Sequence, residues 1–381
     1  ASDVYKRQLY KYSEERENQD LILSSNKTFE EPLTFLLLGV DSESDGLNAN
    51  AAFNGDTLMI ITFNPDTLQT TMVSIPRDTY VPITCRNDNY AKINSAAAYG
   101  TSCVIDTVSS FLDINIDYYV KINFKGVVEL VDAIGGIEVD VEAPTYNADK
   151  YDGKMCEQNS DRLFGDHLVC VEPGLQTLNG EQALAYARNR HLYIGSDLDR
   201  IRHQQQVVEA IANKALGFSS VKSLQDILNA ISNNIATNMD IDAILSGYSV
   251  IKNMVANVLS GEDLLTINKA YLETYSLPVY VPSMGNTTSA QGYYKDSLGD
   301  ITHALKVTLG EETEEEIKTF SFSVNETYKA YSPGKGKRQE KSSEVLPSFI
   351  GNTVTDAEEY CSSKGIMYNI CLLYTSPSPR D

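Results

Sequence analysis

The strongest constraint on the fold is an apolar run, LTFLLLGV, at positions 33–40. A continuous run with no polar face is typical of a strand that is buried on both faces of a sheet. Two further strands are predicted at 56–64 and 70–76, and the PDTLQ segment between them favours a turn, which indicates an antiparallel hairpin. The rest of the chain must then cover both faces of this sheet.

Strands and helices alternate further along the chain. YYVKIN at 118–123 is a predicted strand, apolar residues recur at helical spacing from 124 to 134, and IEVDV at 137–141 is again a predicted strand. This order predicts an α/β fold, layered α/β/α around a central mixed sheet.

The second half of the chain is predicted to supply more helices. Residues 142–175 are expected to form an excursion that contains cysteines. Asn179, with Gln182 three residues later, has the capping-box pattern of a helix start. The other predicted elements are a helix from about Asp197 to Leu216, two helices within 220–259, a strand at 274–281 and a helix within 292–310.

Composition divides the chain into parts. The polar and charged runs between 311 and 344 are typical of a solvated linker. The peptides at both ends of the chain resemble read-through of a sequencing adapter. We therefore predict a lead-in at 1–32 after a missing membrane anchor, a main domain at 33–310, a linker at 311–344, a small module at 345–371 and a non-native tail at 372–381.

The charge of the chain bears on its partners. The formal net charge is −21. A protein this acidic repels a polyanion in general, which argues against DNA or RNA as a partner. A local basic pocket for one phosphate group remains compatible with this charge. No apolar run reaches the ~18 residues that a membrane-spanning helix needs.

The cysteines indicate the compartment. Cys85 and Cys103 flank one loop-rich segment, and Cys156 and Cys170 flank another. Neither pair has CxxC spacing and the chain has only 4 histidines, so a zinc site is not favoured. We predict two local disulfides and an oxidising, extracytoplasmic setting, with free thiols as the alternative.

Two aspartates stand at the ends of predicted neighbouring strands. Asp41 follows the first strand directly, and Asp56 begins the next. Either carboxylate alone is expected to be an ordinary turn residue. Together they could share Mg²⁺, which takes one or two carboxylates and completes its shell with waters and phosphate oxygens.

Three arginines also stand at the ends of predicted strands or helices. Arg77 stands just after the predicted strand at 70–76, and Arg188 and Arg190 are spaced by two near the end of a predicted helix. In extended chain this spacing points both guanidinium groups to one side, as in a bidentate anion clamp. An exposed basic turn is the alternative.

The predicted helix from Asp197 begins with polar residues on its apolar stripe. Arg200 and Gln204 lie on the face that later carries Ile and Val, so they need partners. An arginine at a helix N-terminus is a candidate anion site. Arg202 and His203 are expected to face solvent.

These segments resemble the successive motifs of the LytR-CpsA-Psr family. The resemblance covers about residues 33–310 and rests on segments in chain order: FLLLGVDS, GDTLMIITFNPDT, TMVSIPRDTYVPI, KINSAAAYG, INFKGVVELVDAIGGIEVDV, LNGEQALAYARNRH and DLDRIRHQQQVV. It implies a membrane-anchored domain on the extracytoplasmic face of a bacterium with a peptidoglycan wall. The activity it implies is transfer of a phosphate-linked glycopolymer, such as teichoic acid or capsule, from a polyprenyl pyrophosphate carrier to peptidoglycan.

The same resemblance implies residue roles. Asp41 and Asp56 would hold Mg²⁺, and Asp41 or Arg77 would act at the reacting phosphate. The residues that would bind the pyrophosphate are Arg77, Lys92, Arg188, Arg190, Arg200 and Gln204. The prenyl chain would need an apolar tunnel between sheet and helices, for which residues 127–134 are candidates. The module at 345–371 resembles the start of a PASTA repeat.

Some positions depart from the family pattern. Asn54, Asp199 and His203 stand where many members have arginine, glycine and arginine, so the site carries less positive charge. The alternatives are a pyrophosphatase that acts on the lipid carrier and a non-catalytic binder of wall polymer or regulator. The presence of Asp41, Asp56 and Arg77 disfavours a site without activity.

Overall fold

The computed structural model of the 381-residue chain describes residues 27–41, 47, 52–53, 55–159, 167–217, 221–240, 243–250, 266–281 and 286–313. All of these lie in the first of two structural units, Ala1–Gly334. Most of the predicted linker, the PASTA-like module, the tail and Asn54 lie outside the described residues. Within the described part, no helix has both the length and the apolar character needed to cross a membrane.

The described residues form strands and helices in the following order. The strands are β1 (Leu33–Val40), β2 (Gly55–Asn64), β3 (Gln69–Ser74), β4 (Tyr80–Ile83), β5 (Asn89–Lys92), β6 (Tyr118–Asn123), β7 (Ile137–Val141), β8 (Met155–Asn159), β9 (His167–Val171), β10 (Gly174–Leu178), β11 (Ile235–Thr237), β12 (Thr266–Tyr271), β13 (Thr274–Val281) and β14 (Asn286–Tyr293). The helices are α1 (Thr101–Leu112), α2 (Phe124–Ala133), α3 (Gly180–Arg188), α4 (Asp197–Leu216), α5 (Val221–Ile231) and α6 (Lys295–Leu309), and residues 243–250 are also helical.

A six-stranded mixed sheet is the centre of the fold. Its strand order is β11-β6-β1-β2-β3-β12. β1 pairs antiparallel with β2 and parallel with β6, and β2 pairs antiparallel with β3. The predicted hairpin and the buried central strand are therefore confirmed.

Helices cover both faces of this sheet. On one face, Leu36 and Leu38 of β1 share a buried core with Val104 of α1 and Leu305 of α6. On the other face, Met59 of β2 and Met72 of β3 pack with Val208 of α4. Each fully buried aliphatic side chain contributes about 1.5–3 kcal/mol, so the two cores stabilise the layers on both sides. The predicted α/β fold with a central mixed sheet is confirmed.

The helix that carries Arg188 begins and packs as the sequence indicates. The Asn179 side chain accepts from Gln182 N, and the Gln182 side chain accepts from Asn179 N, both at 3.0 Å. Such a cap contributes about 1 kcal/mol. α3 also lies very close to α2, because a Cβ at Gly180 would stand 2.3 Å from Val128 O. Only glycine permits this approach, which positions the start of α3 against α2.

Residues 142–175, the excursion that contains cysteines, include regular strands. They contain the antiparallel hairpin β8–β9, and β10 pairs with β7. Cys156 and Cys170 are register partners in that hairpin and form a disulfide with a Cα–Cα distance of 4.1 Å. A second disulfide joins Cys85 to Cys103, 5.6 Å apart at Cα. These are the two pairings that the sequence indicated.

Candidate functional site

The two aspartates stand at one edge of the sheet. Val40, the last residue of β1, is the register partner of Gly55, the first residue of β2, so Asp41 and Asp56 lie next to paired positions. Asp41 is exposed, and Asp56 is half-buried. Two carboxylates are the kind of donors that Mg²⁺ takes when it keeps other oxygen ligands. Within the described residues, no group of three or more His, Cys, Asp and Glu side chains is placed to hold a metal.

Arg77 reaches the same edge from the turn after β3. Its Nη1 donates to Asp56 Oδ1. The Arg77 side chain is 33% exposed. The turn is held by the backbone, since Asn94 N donates to Arg77 O at 3.1 Å. The neighbouring Asp78 binds Lys92 Nζ at 3.0 Å, which brings Lys92 into this turn as well.

Arg200 approaches from the first turn of α4. Its side chain is only 11% exposed, and its Nη2 lies 2.7 Å from Asp197 Oδ1. Burial lowers the pKa of Arg200, and the positive charges of Arg77 and Arg190 lower it further, while Asp197 and Asp56 act in the opposite sense. Arg200 therefore interacts electrostatically with arginines from two other chain segments.

The Arg200 guanidinium group has an unused donor. Its Nε is buried and has no hydrogen-bond partner among the described residues. A buried donor without a partner costs about 1–3 kcal/mol. A protein keeps such a donor at this cost where a ligand can satisfy it.

Arg188 and Arg190 stand on either side of a fixed residue. α3 ends at Arg188, and Asn189 is extended, with φ −66° and ψ 129°. Asn189 is buried and its Nδ2 donates to Cys156 O at 2.9 Å, so it points away from its neighbours. Arg188 lies over the Phe124 ring at 4.5 Å. Arg188 and Arg190 are thus separated by one residue in extended conformation at the end of α3.

Glu157 faces both of these arginines. Burial raises the pKa of Glu157, and the charges of Arg188 and Arg190 act against this rise. Glu157 Oε2 accepts from Asn189 Nδ2 at 2.8 Å and not from an arginine. Gln204, one turn after Arg200, is half-buried, and its side chain makes no hydrogen bond to another described residue.

An apolar cleft opens beside Arg77. It is lined by Leu38, Phe53, Leu58, Ile93, Ala97 and Val104 together with Arg77. The cleft lies between β1 and β2 of the sheet and the segment that leads into α1. Residues 127–134, which were expected to line the tunnel, do not line this cleft. Val131 and Ile134 pack with Ile137 in another core.

Sequence reasoning was wrong about Arg202 and His203. His203 is fully buried, with its ring stacked on Tyr186 at 4.2 Å and edge-on to Tyr193 at 4.5 Å. Arg202 binds Glu142 and lies 2.7 Å from Asp199 Oδ1. α4 is enclosed on several sides rather than on one, so a single apolar stripe does not describe its buried surface.

Glu142 is the residue that sequence reasoning missed. It follows β7 directly, a position where polar side chains gather at a sheet edge. Burial alone would raise the pKa of Glu142, but the facing His203 and the Arg202 charge outweigh it and lower the pKa to about 2. His203 Nε2 is 3.7 Å from Glu142 Oε2, too far for a hydrogen bond, so this contact is electrostatic. Glu142 thereby fixes α4 behind the arginine cluster.

Comparisons with known proteins agree on one family. The sequence profile of the LytR_cpsA_psr family matches residues 4–307. The polyisoprenyl-teichoic acid–peptidoglycan teichoic acid transferase TagU of Bacillus licheniformis is 36% identical over 285 residues, which cover 73% of this chain and 78% of that protein. Biofilm regulatory protein A of Streptococcus mutans is 37% identical over 61% of this chain, and the chain spans only 57% of that protein's length.

Solved structures share the architecture. A protein of Streptococcus agalactiae, gbs0355, is 30% identical, with a TM-score of 0.59 over 78% of this chain and 94% of that chain. The structure described as TagT bound to LI-WTA is 25% identical, with a TM-score of 0.54 over 77% of this chain and 95% of that chain.

Proposed function

Because the chain belongs to the LytR-CpsA-Psr family, we propose that it transfers a phosphate-linked glycopolymer from a polyprenyl pyrophosphate carrier to peptidoglycan. Teichoic acid is the polymer class that the related transferase acts on by its name. The disulfides Cys85–Cys103 and Cys156–Cys170 support an extracytoplasmic setting, where such bonds persist. The peptidoglycan wall lies on that side of the membrane.

The observation that carries this proposal is that Arg200 interacts electrostatically with both Arg77 and Arg190, which come from other chain segments, while Arg77 binds Asp56. Like charges at close range repel, and the repulsion is stronger where burial removes solvent. A pyrophosphate group offsets it and supplies acceptors for bidentate contacts and for the unused Arg200 Nε. The carboxylates Asp56 and Asp197 balance part of the positive charge when no anion is bound.

In the proposed reaction the acceptor hydroxyl attacks the phosphorus that carries the glycan. The new bond joins acceptor oxygen to phosphorus, the bridging bond of the pyrophosphate breaks, and polyprenyl phosphate leaves. Arg77, Arg190 and Arg200 bind the phosphate oxygens and stabilise charge that develops as the bridge breaks. Lys92 and Arg188 add positive charge nearby, and Gln204 offers an amide to a phosphate oxygen. Asp41 would accept the proton of the hydroxyl.

Mg²⁺ fits this site as a cofactor. Asp41 and Asp56 would hold it, and phosphate oxygens would complete its shell. Bound there, the ion would neutralise charge on the pyrophosphate. The apolar cleft beside Arg77 is small and would have to widen to receive the first units of the prenyl chain, for which its mostly aliphatic and aromatic lining is suited.

A transfer assay tests the proposed function. The purified protein is incubated with Mg²⁺, a synthetic prenyl-pyrophosphate disaccharide labelled with ³²P at the glycan-linked phosphate, and peptidoglycan fragments. We expect label on the peptidoglycan, in stoichiometry with released polyprenyl phosphate. Label released only as free glycan phosphate would favour the pyrophosphatase, and intact donor that stays bound would favour the wall-polymer binder or regulator.

A further inference from the structure

A second surface begins where the arginine site ends. β4 and β5 form a hairpin in which Tyr80 is the register partner of Lys92 and Pro82 that of Tyr90. Side chains alternate across a strand, so these four residues share one face. On the other face, Val81 and Ile83 are fully buried. The hairpin therefore presents its Tyr–Pro–Tyr face outward.

This face carries one exposed aromatic ring beside half-buried ones. Tyr90 is 58% exposed, and its ring centroid lies 5.6 Å from that of Tyr80. Tyr293, from β14, lies close enough to Tyr90 that the two phenols interact electrostatically. We name Tyr80, Pro82, Tyr90 and Tyr293 the tyrosine face. Large aromatic side chains that stay in water cost hydrophobic free energy and mark contact sites.

The tyrosine face is continuous with the phosphate site. Lys92 ends the same row of side chains as Tyr80, and its Nζ binds Asp78, the residue after Arg77. Asn94 N donates to Arg77 O, which ties the end of the hairpin to the arginine turn. A molecule lying along the tyrosine face therefore ends at the group that Arg77 binds.

We propose that the tyrosine face binds the sugar rings of the acceptor glycan and directs its hydroxyl to the phosphate held by Arg77. This inference rests on the proposed function. The apolar C–H face of an N-acetylated pyranose stacks on a phenol ring, and phenol hydroxyls bond to sugar oxygens. An anionic lipid surface fits less well, because the face lacks aliphatic anchors other than Pro82 and the chain carries a formal charge of −21.

Binding of a neutral glycan tests the proposal without any transfer reaction. The probe is an N-acetylglucosamine tetramer, titrated into the full chain and followed by saturation-transfer NMR and calorimetry. We expect Tyr90→Ala to weaken binding about 10-fold, the order of one lost aromatic contact, and Tyr90→Phe to retain it. Tyr146→Ala is the matched control, since Tyr146 is similarly exposed, at 56%, and lies outside the tyrosine face.

Kinetics then separate acceptor from donor. In the transfer assay we expect Tyr90→Ala to raise the KM for peptidoglycan fragments about 10-fold, with the KM for the lipid-linked donor unchanged. Tetramer binding that is absent in the wild type, or equal in Tyr90→Ala, overturns the proposal. Binding to phosphatidylglycerol vesicles that depends on Tyr90 overturns it too. Tyr90-dependent tetramer binding without any transfer supports the glycan site and overturns the proposed function instead.

Discussion

At the scale of single residues, the site combines charged side chains with a hydrogen-bond donor that has no partner among the described residues. Asp56 binds Arg77 and Asp197 binds Arg200, yet Arg200 Nε keeps no partner among the described residues and Arg190 is exposed. A structural ion-pair network would satisfy such a buried donor. In the proposed function this donor is available to a phosphate oxygen, and Asp56 would link Arg77 to the proposed Mg²⁺.

Replacing Asp56 with asparagine tests that link. We expect Asp56→Asn to raise the Mg²⁺ concentration for half-maximal transfer about 10-fold or more, because it removes one of two carboxylate ligands. Asp66→Asn, in the exposed turn between β2 and β3, is the control. Line broadening by Mn²⁺ at the Asp41 segment provides a readout that needs no transfer. If Asp56→Asn leaves the Mg²⁺ concentration for half-maximal transfer unchanged, Asp56 binds only Arg77 and not the metal.

At the scale of elements, α4 is held by groups on two sides of its first turns. Glu142 after β7 binds Arg202, and Tyr186 of α3 stacks on His203. On the next turn, Gln205 Nε2 donates to Ala270 O at 2.8 Å, which fixes α4 to β12. These contacts set the position of Arg200 and Gln204. The geometry of the arginine cluster therefore depends on residues that lie outside the proposed ligand site.

Burial of His203 predicts a pH dependence of stability. Burial lowers the pKa of His203, partly offset by Glu142 and Asp199, so the native state binds fewer protons than the unfolded state below the ordinary histidine pKa of about 6.5. The free energy of unfolding should therefore fall as the pH drops from 7 to 5. Glu142, with a pKa of about 2, stays ionised throughout this range.

Urea unfolding at pH 7, 6 and 5 measures this effect. The slope cannot exceed about 1.4 kcal/mol per pH unit for one group. We expect His203→Gln to reduce the slope, since glutamine carries no titrating group, and the exposed His191→Gln to leave it unchanged. Equal slopes in the wild type and His203→Gln would show that His203 does not contribute.

At the scale of the whole molecule, the sequence predicted what local patterns determine. β1, β6, β7 and α4 begin and end where the apolar periodicity places them, and the Asn179 cap forms as predicted. The hairpin β8–β9 and the burial of His203 depend on partners distant in sequence, which periodicity does not encode. The arginines were found because each stands at the end of an element, whereas Glu142 was missed because nothing local marks its partner Arg202.

The most direct measurement of the central claim compares Arg77→Ala with the wild type in the ³²P transfer assay. Loss of one transition-state charge contact predicts a fall in transfer of about 10²-fold or more. Thermal stability should change little, because the partly exposed ion pair with Asp56 contributes at most about 1 kcal/mol. Arg86→Ala, which removes a nearby arginine that lies over Tyr99, should transfer normally. Full transfer by Arg77→Ala at unchanged stability would contradict the assignment of this arginine cluster as the phosphate site.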